Sequence, residues 1–161
     1  MKTTATFVVV MLAVAAAWVL VRPQAAAQQP ISFNHVKHER VGCVVCHQGS
    51  ENGIRAGLPD GSICRQCHAT PPQVAGAEAA WQDLAEGRPI RWVRLSRVPD
   101  HVLFSHRRHV SSGGLDCKSC HADVGRMSIP PTGPATNLSM AACESCHRQQ
   151  AASNDCAGCH R

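Results

Sequence analysis

Five copies of one short cysteine motif constrain this chain more than any other feature of its sequence. All ten cysteines fall in pairs, and every pair has the form Cys-x-x-Cys-His. This spacing is typical of covalent attachment of c-type haem. The two thiols can each add to one vinyl group of the porphyrin, and the histidine that follows can bind the iron. The sequence therefore predicts five covalently bound c-type haems.

The motifs assign fifteen residues to this predicted cofactor. The haem-attachment residues are Cys43, Cys46, Cys64, Cys67, Cys117, Cys120, Cys143, Cys146, Cys156 and Cys159. The predicted proximal ligands of the iron are His47, His68, His121, His147 and His160.

Three other uses of paired cysteines explain the pattern less well. Disulfides are common in exported proteins, but they do not require a histidine after every second cysteine. Structural zinc also uses Cys-x-x-Cys pairs without that requirement. A thioredoxin-like redox pair is expected once, in an α/β pattern. Five repeats with no cysteine left over favour haem.

The histidines outside the motifs match the predicted haems in number. They are His35, His38, His101, His106 and His109. Two pairs of them are three residues apart, a spacing that places both side chains on one face of a helical turn. We predict that these five histidines are the distal ligands of the irons. Met127 and Met140 are the alternative sixth ligands, although a lone methionine more often packs in a core.

Composition supports a small fold built around cofactors. The chain has 161 residues, about one domain, and no tyrosine. Few large apolar side chains are available to stabilise a domain of this size. We therefore expect a small α/irregular multihaem cytochrome with short helices around the motifs, long loops and a core formed by haems. A net charge of +5 with sparse aromatic residues argues against nucleic-acid binding.

An internal repeat divides the chain into two modules. The sequence Phe-x-His-x-x-His occurs at residues 33–38 and again at 104–109, and each copy is followed by haem motifs. We refer to these two stretches as the ligand segments. The repeat predicts modules at about 31–70 and 99–161, both within one haem-binding domain at 28–161.

Residues 71–98 form the predicted linker between the modules. A short helix is expected between Gly76 and Glu86, ended by a Gly-Arg-Pro sequence. An extended stretch with an arginine at every third position follows. These residues are Arg88, Arg91, Arg94 and Arg97. The stretch is interpreted as a solvated basic face, with a docking strip for an acidic partner or for haem propionates as the alternative.

The N-terminal residues 1–27 have the pattern of an export signal. Lys2 precedes an apolar stretch, and a small-residue site ends at Ala27. Residues 5–21 are also just long enough to serve as an uncleaved membrane anchor. Both alternatives export the haem-binding domain to the periplasmic side of the bacterial cytoplasmic membrane.

The ligand segments resemble the class III multihaem cytochromes c, whose closely packed haems have two histidine ligands each. Over roughly residues 31–160 the chain also resembles the pentahaem subunit of alternative complex III. The matching residues are Trp92, Val98-Pro99-Asp100-His101-Val102, Phe104-Ser105-His106, His109-Val110, the motif at Cys117, Val124, Met127, Leu138-Ser139-Met140 and the motif at Cys143. This resemblance implies an exported subunit of a quinol-oxidising complex with iron–sulfur/molybdopterin-like and polytopic membrane subunits.

The same resemblance implies a scheme of distal ligands. His35 and His106 would ligate the haem of the motif that follows each of them. His38 and His109 would reach a different haem, and His101 would serve a remaining one.

The expected function is electron transfer rather than catalysis on a substrate. We favour a subunit of a membrane quinol-oxidising complex, and a free periplasmic electron shuttle is the alternative. A multihaem reductase of a small oxyanion would need one iron with an open coordination position, whereas the histidines here suffice to close all five. A metal-storage or zinc-binding protein of the cell envelope is the least supported alternative.

Overall fold

The computed structural model describes residues 26–74 and 76–160 continuously, with seven positions of the leader at 7, 10–12, 14–15 and 18. The predicted signal or anchor at 1–27 therefore lies mostly outside the described residues. Among the residues described, no helix is both long and apolar enough to cross a membrane.

Short helices joined by long irregular segments make up the described chain. The helices are α1 (Cys43–Cys46), α2 (Gly61–Arg65), α3 (Glu78–Ala85), α4 (Lys118–His121), α5 (Met140–Gln149) and α6 (Cys156–Cys159). Single turns of 3-10 helix occur at Val36–His38 and Val124–Arg126, and a π-helical turn occurs at Arg108–Ser112. Within residues 26–74 and 76–160 there is no β-strand, which confirms the predicted α/irregular class.

Every haem motif lies in or beside one of the short helices. A helical turn brings residues three apart to the same side, so the two cysteines of a motif can face one edge of a porphyrin. The second motif of each module belongs to a helix with a side-chain cap. Asp60 accepts a hydrogen bond from Ser62 N at 2.8 Å at the start of α2. Ser139 accepts one from Ala142 N at 3.3 Å at the start of α5.

The predicted linker supplies most of the buried apolar core. The buried residues are Ile31, Ala77, Ala80, Leu84 and Ile90. Three of them share one face of α3 and its first turn, because their spacing of three, four and seven residues matches the helical period. Trp81 and Trp92 pack against the cluster from outside. The segment 71–98 is thus a structural part of the first half of the molecule.

Hydrogen bonds fix this segment against the first module. Trp92 Nε1 donates to the Pro59 carbonyl at 2.7 Å. Gln29 Nε2 donates to the Val93 carbonyl at 2.9 Å, and its Oε1 accepts from Val93 N at 3.0 Å. These contacts hold the extended stretch after α3 in place without β-sheet pairing.

The second module is held by backbone hydrogen bonds rather than by a buried apolar cluster. None of the described residues beyond Ile90 is buried. Its C-terminal motif is joined to the segment before the second ligand segment by a bridge between Val102 and His160. Leu103 N also donates to the Cys159 carbonyl at 2.8 Å. Backbone hydrogen bonds therefore position this part of the chain, and apolar side chains contribute little.

Backbone contacts also join the two modules. His106 N donates to the Ile54 carbonyl at 3.2 Å, and Arg107 N donates to the Gly53 carbonyl at 2.9 Å. In the other direction, His35 N donates to the Met127 carbonyl at 3.0 Å. Each ligand segment is thus bonded through its backbone to the opposite module.

Candidate functional site

Four of the non-motif histidines each lie close to a different motif histidine. The centroid distances are 6.1 Å for His38–His68, 6.4 Å for His106–His121, 6.1 Å for His109–His147 and 5.6 Å for His101–His160. Two metal–imidazole bonds of about 2 Å each, added to the two half-rings, separate the centroids by about 6 Å. Each gap therefore fits one metal ion held between two imidazoles.

His35 and His47 are the remaining non-motif and motif histidines. Partial burial lowers the pKa of His35, and electrostatic interactions with His47 and then His38 lower it further. A lowered pKa favours the neutral imidazole, which is the form that offers a lone pair to a metal. The same causes lower the pKa of His121, where burial is followed by the effects of His106 and His47.

A phenylalanine orients the two histidines of each ligand segment. In the first segment, Phe33 stacks on His38 at 4.5 Å and meets His35 edge to face at 4.8 Å. In the second segment, the edge-to-face ring is His106 at 5.0 Å and the stacked ring is His109 at 4.6 Å. The phenylalanine ring therefore orients the two histidines of its segment in different directions. One short segment can in this way supply ligands to two different irons.

Outer hydrogen bonds orient most of the histidine rings. In five histidines the ring nitrogen Nδ1 is hydrogen-bonded to a backbone carbonyl. These pairs are His38 with Asn34, His47 with Gly57, His106 with Ile54, His109 with Ser105 and His147 with Ser153. A bond from Nδ1–H leaves Nε2 as the nitrogen with a free lone pair, the arrangement usual for metal-binding histidine.

Two of the other five histidines have a distinct environment at Nδ1. His121 Nδ1 lies 3.2 Å from Thr136 Oγ1, so its partner is a side chain. His35 Nδ1 is buried and has no hydrogen-bond partner among the described residues. Nothing in the spacing of the motifs indicated Thr136, which lies in an irregular stretch fifteen residues after His121.

None of the ten cysteines is in a disulfide. Burial raises the pKa of the Cys46 thiol, and Cys43 and then Cys67 raise it further. Burial is the main cause of the raised pKa of the Cys117 thiol, and electrostatic interaction with Cys43 in the other module raises it further. Burial also raises the pKa of the Cys120 thiol, with added effects from its neighbours in the fourth motif.

The alternative ligands and the basic stretch take ordinary positions. Met140 begins α5 and is 58% exposed. Arg88 pairs with Asp83 and Glu86, and Arg97 pairs with Asp100 at 2.7 Å. The two arginines between them are exposed, as a solvated basic face requires.

The paired cysteines and the facing histidines define a multihaem c-type cytochrome. Residues 102–161 match the family of cytochrome c7 and related cytochrome c, and residues 15–86 match the class III cytochrome C family. The chain belongs to this class III family of multihaem cytochromes c, which confirms the resemblance of the ligand segments. It is therefore an electron-transfer protein with covalently bound c-type haems.

A more specific similarity covers most of the chain. The relative is the multiheme cytochrome c subunit of menaquinone reductase from Nitratidesulfovibrio vulgaris. It is 30% identical over 164 residues, which span 83% of this chain and 77% of the relative.

Proposed function

We propose that the chain binds five haems, each with two histidine ligands. The supporting observation is that four motif histidines each lie close to a different non-motif histidine. The ring centroids of these pairs are 5.6–6.4 Å apart. The fifth pair is His35 with His47, which interact electrostatically. The proposed axial pairs are His35/His47, His38/His68, His106/His121, His109/His147 and His101/His160.

These pairs agree with the ligand scheme that the resemblance to alternative complex III implied. His106 lies close to the histidine of the motif that follows it, and His35 interacts electrostatically with the histidine of its own following motif. The second histidine of each ligand segment lies close to the histidine of the next motif along the chain. His101 faces the last motif. With all ten histidines engaged, no iron would keep an open position, and this argues for electron transfer over reduction of an oxyanion.

The cysteine contacts support an order for the haems in space. Cys46 interacts electrostatically with Cys64 and Cys67, which supports a first motif that lies beside the second. The electrostatic interaction of Cys43 with Cys117 supports a first motif that lies beside the third. The third lies beside the fourth, since Cys120 interacts with both cysteines of that motif.

We infer an electron-transfer path through the haems of the second, first, third and fourth motifs, in that order. The path crosses between the modules from the first motif to the third. Each haem supplies a one-electron couple at its iron. The polypeptide would hold neighbouring pairs of histidine ligands close together and would set the solvent exposure of each haem.

We further propose that the chain is the cytochrome subunit of a respiratory quinone-linked oxidoreductase on the periplasmic side of the membrane. Its export pattern and its 30% identity to a menaquinone reductase subunit support this proposal. The resemblance to alternative complex III implied quinol oxidation, whereas the name of the relative implies quinone reduction. We favour reduction, because the relative matches 83% of the chain.

Haem content is the first test. Mass spectrometry of the purified protein should give the mass of the polypeptide plus five haems, and electron paramagnetic resonance of the oxidised protein should show only low-spin iron. A high-spin fraction that binds carbon monoxide after reduction would overturn the five-pair scheme and favour a reductase.

Assembly is the second test. Membranes solubilised in mild detergent should be run on a native gel, stained for haem and analysed for co-migrating polypeptides. A large complex with polytopic and iron–sulfur subunits supports the subunit proposal. Recovery of the protein alone, with an N-terminus at Gln28, would make it a free periplasmic shuttle. Reduction of its haems by a menaquinol analogue, rather than oxidation by a menaquinone analogue, would reverse the proposed direction.

A further inference from the structure

The Thr136 hydroxyl bridges two parts of the third haem motif. Its Oγ1 lies 2.8 Å from the Cys120 carbonyl, to which it donates. Its Oγ1 also lies 3.2 Å from His121 Nδ1. Because the hydroxyl proton is used on the carbonyl, the oxygen must accept a hydrogen bond from Nδ1–H of the imidazole. This fixes the tautomer that leaves His121 Nε2 free for the iron.

Among the described histidines, His121 is alone in having a side chain as the partner of Nδ1. The other hydrogen-bonded rings use backbone carbonyls, which no substitution can delete. Here a single hydroxyl makes the bond, so the outer contact of one axial ligand can be removed without altering the backbone.

We propose that Thr136 is a positioning residue that sets the reduction potential of the haem ligated by His121. The proposal rests on the haem ligation argued above. A hydrogen bond donated from Nδ1 makes the imidazole more basic, which stabilises the ferric iron more than the ferrous iron. The bond should therefore keep this haem at a lower potential than it would otherwise have. The second bond, to the Cys120 carbonyl, ties the same hydroxyl to the haem-attachment cysteine that directly precedes the ligand.

The test is a potentiometric titration of the holoprotein followed by electron paramagnetic resonance. Loss of the outer partner of a metal-binding histidine typically weakens metal binding by about ten-fold or more. In T136V, a ten-fold loss of preference for ferric iron would raise the potential of one haem by about 59 mV. T136S keeps the hydroxyl and should titrate like the wild type.

T132V is the matched control. It makes the same change in the same irregular stretch, at a side chain that forms no hydrogen bond with another described residue, and it should leave all five potentials unchanged. If T136V fails to fold, T136A replaces it, since it also lacks the hydroxyl and has a smaller side chain.

The outcomes separate this proposal from the haem proposal. A fully loaded, low-spin T136V or T136A protein with wild-type potentials would overturn the role of Thr136 and leave the haem scheme intact. An equal shift in T136S would also overturn it, because the hydroxyl would then be irrelevant. Absence of a haem ligated by His121 in the wild type would instead overturn the scheme on which the inference rests.

Discussion

The two ligand segments have nearly the same geometry but lie in different surroundings. The stacked rings are 4.5 Å apart with an angle of 27° in the first segment, and 4.6 Å apart with an angle of 25° in the second. The second histidine of each segment hydrogen-bonds the carbonyl four residues before it, at 2.8 and 2.9 Å. Local sequence is therefore sufficient to build this unit twice.

Support from side chains differs between the two halves. The first module packs against a buried cluster that includes Leu84, whereas none of the described residues from 91 to 160 is buried. The same ligand unit can therefore rest on apolar side chains or on the cofactor. In the second module, the haems must supply the surface that side chains do not.

The outer partners of the first histidines differ as well. His35 Nδ1 is buried and has no hydrogen-bond partner within the described part of the chain, while His106 Nδ1 lies 3.3 Å from the Ile54 carbonyl. Since outer hydrogen bonds tune metal-binding imidazoles, the haems of the first and third motifs should have different potentials despite their similar ligand segments.

Deleting one haem from each half gives the largest expected effect. C117S/C120S should lose one haem by mass and most of its helical circular dichroism, because the second module has no buried cluster to replace the porphyrin. C64S/C67S should also lose one haem but retain most of its helical signal, since α3 and its cluster remain. Equal loss of structure in both variants would show that the apolar cluster does not stabilise the first half.

Removing a distal ligand should alter one iron and leave the fold in place. In H35A and in H106A, one of the five haems should become five-coordinate and high-spin, while mass spectrometry still finds five attached haems. The exposed neighbours provide controls, and K37A and R107A should stay fully low-spin. A wholly low-spin spectrum in either histidine variant would remove that histidine from the ligand scheme.

Sequence alone predicted the parts of the site that depend on local spacing. The motif at Cys43 and the pair His35 and His38 are recognisable because attachment and ligation need fixed short separations. Contacts made by folding were not accessible in this way. Thr136 meets His121 across an irregular stretch, and the cluster around Leu84 forms only when the predicted linker folds back on Ile31.

The apolar cluster itself can be weakened with a moderate effect. L84A should destabilise the first half by about 2 kcal/mol, at the low end for a buried leucine because the cluster is small. Unfolding in guanidinium, followed by circular dichroism, measures this change. L103A is the control, since that side chain is 42% exposed. A loss in L103A as large as that in L84A would contradict the assignment of the core to the first half.

The helix caps give the smallest and most specific difference between the halves. α2 is capped by the carboxylate of Asp60 and α5 by the neutral hydroxyl of Ser139. Hydrogen bonds from Ser62 lower the pKa of Asp60. Its stabilising effect is therefore complete at neutral pH and is lost as the pH falls through that lowered pKa.

The melting temperatures of D60N and S139A, each compared with the wild type from neutral pH down to about pH 3, check this assignment. The difference in melting temperature between the wild type and D60N should disappear at acid pH, because asparagine keeps an oxygen acceptor but not the charge. The difference in melting temperature between the wild type and S139A should stay constant with pH, since a hydroxyl does not titrate. A D60N gap that persists at low pH would mean that the charge of Asp60 does not contribute to the cap.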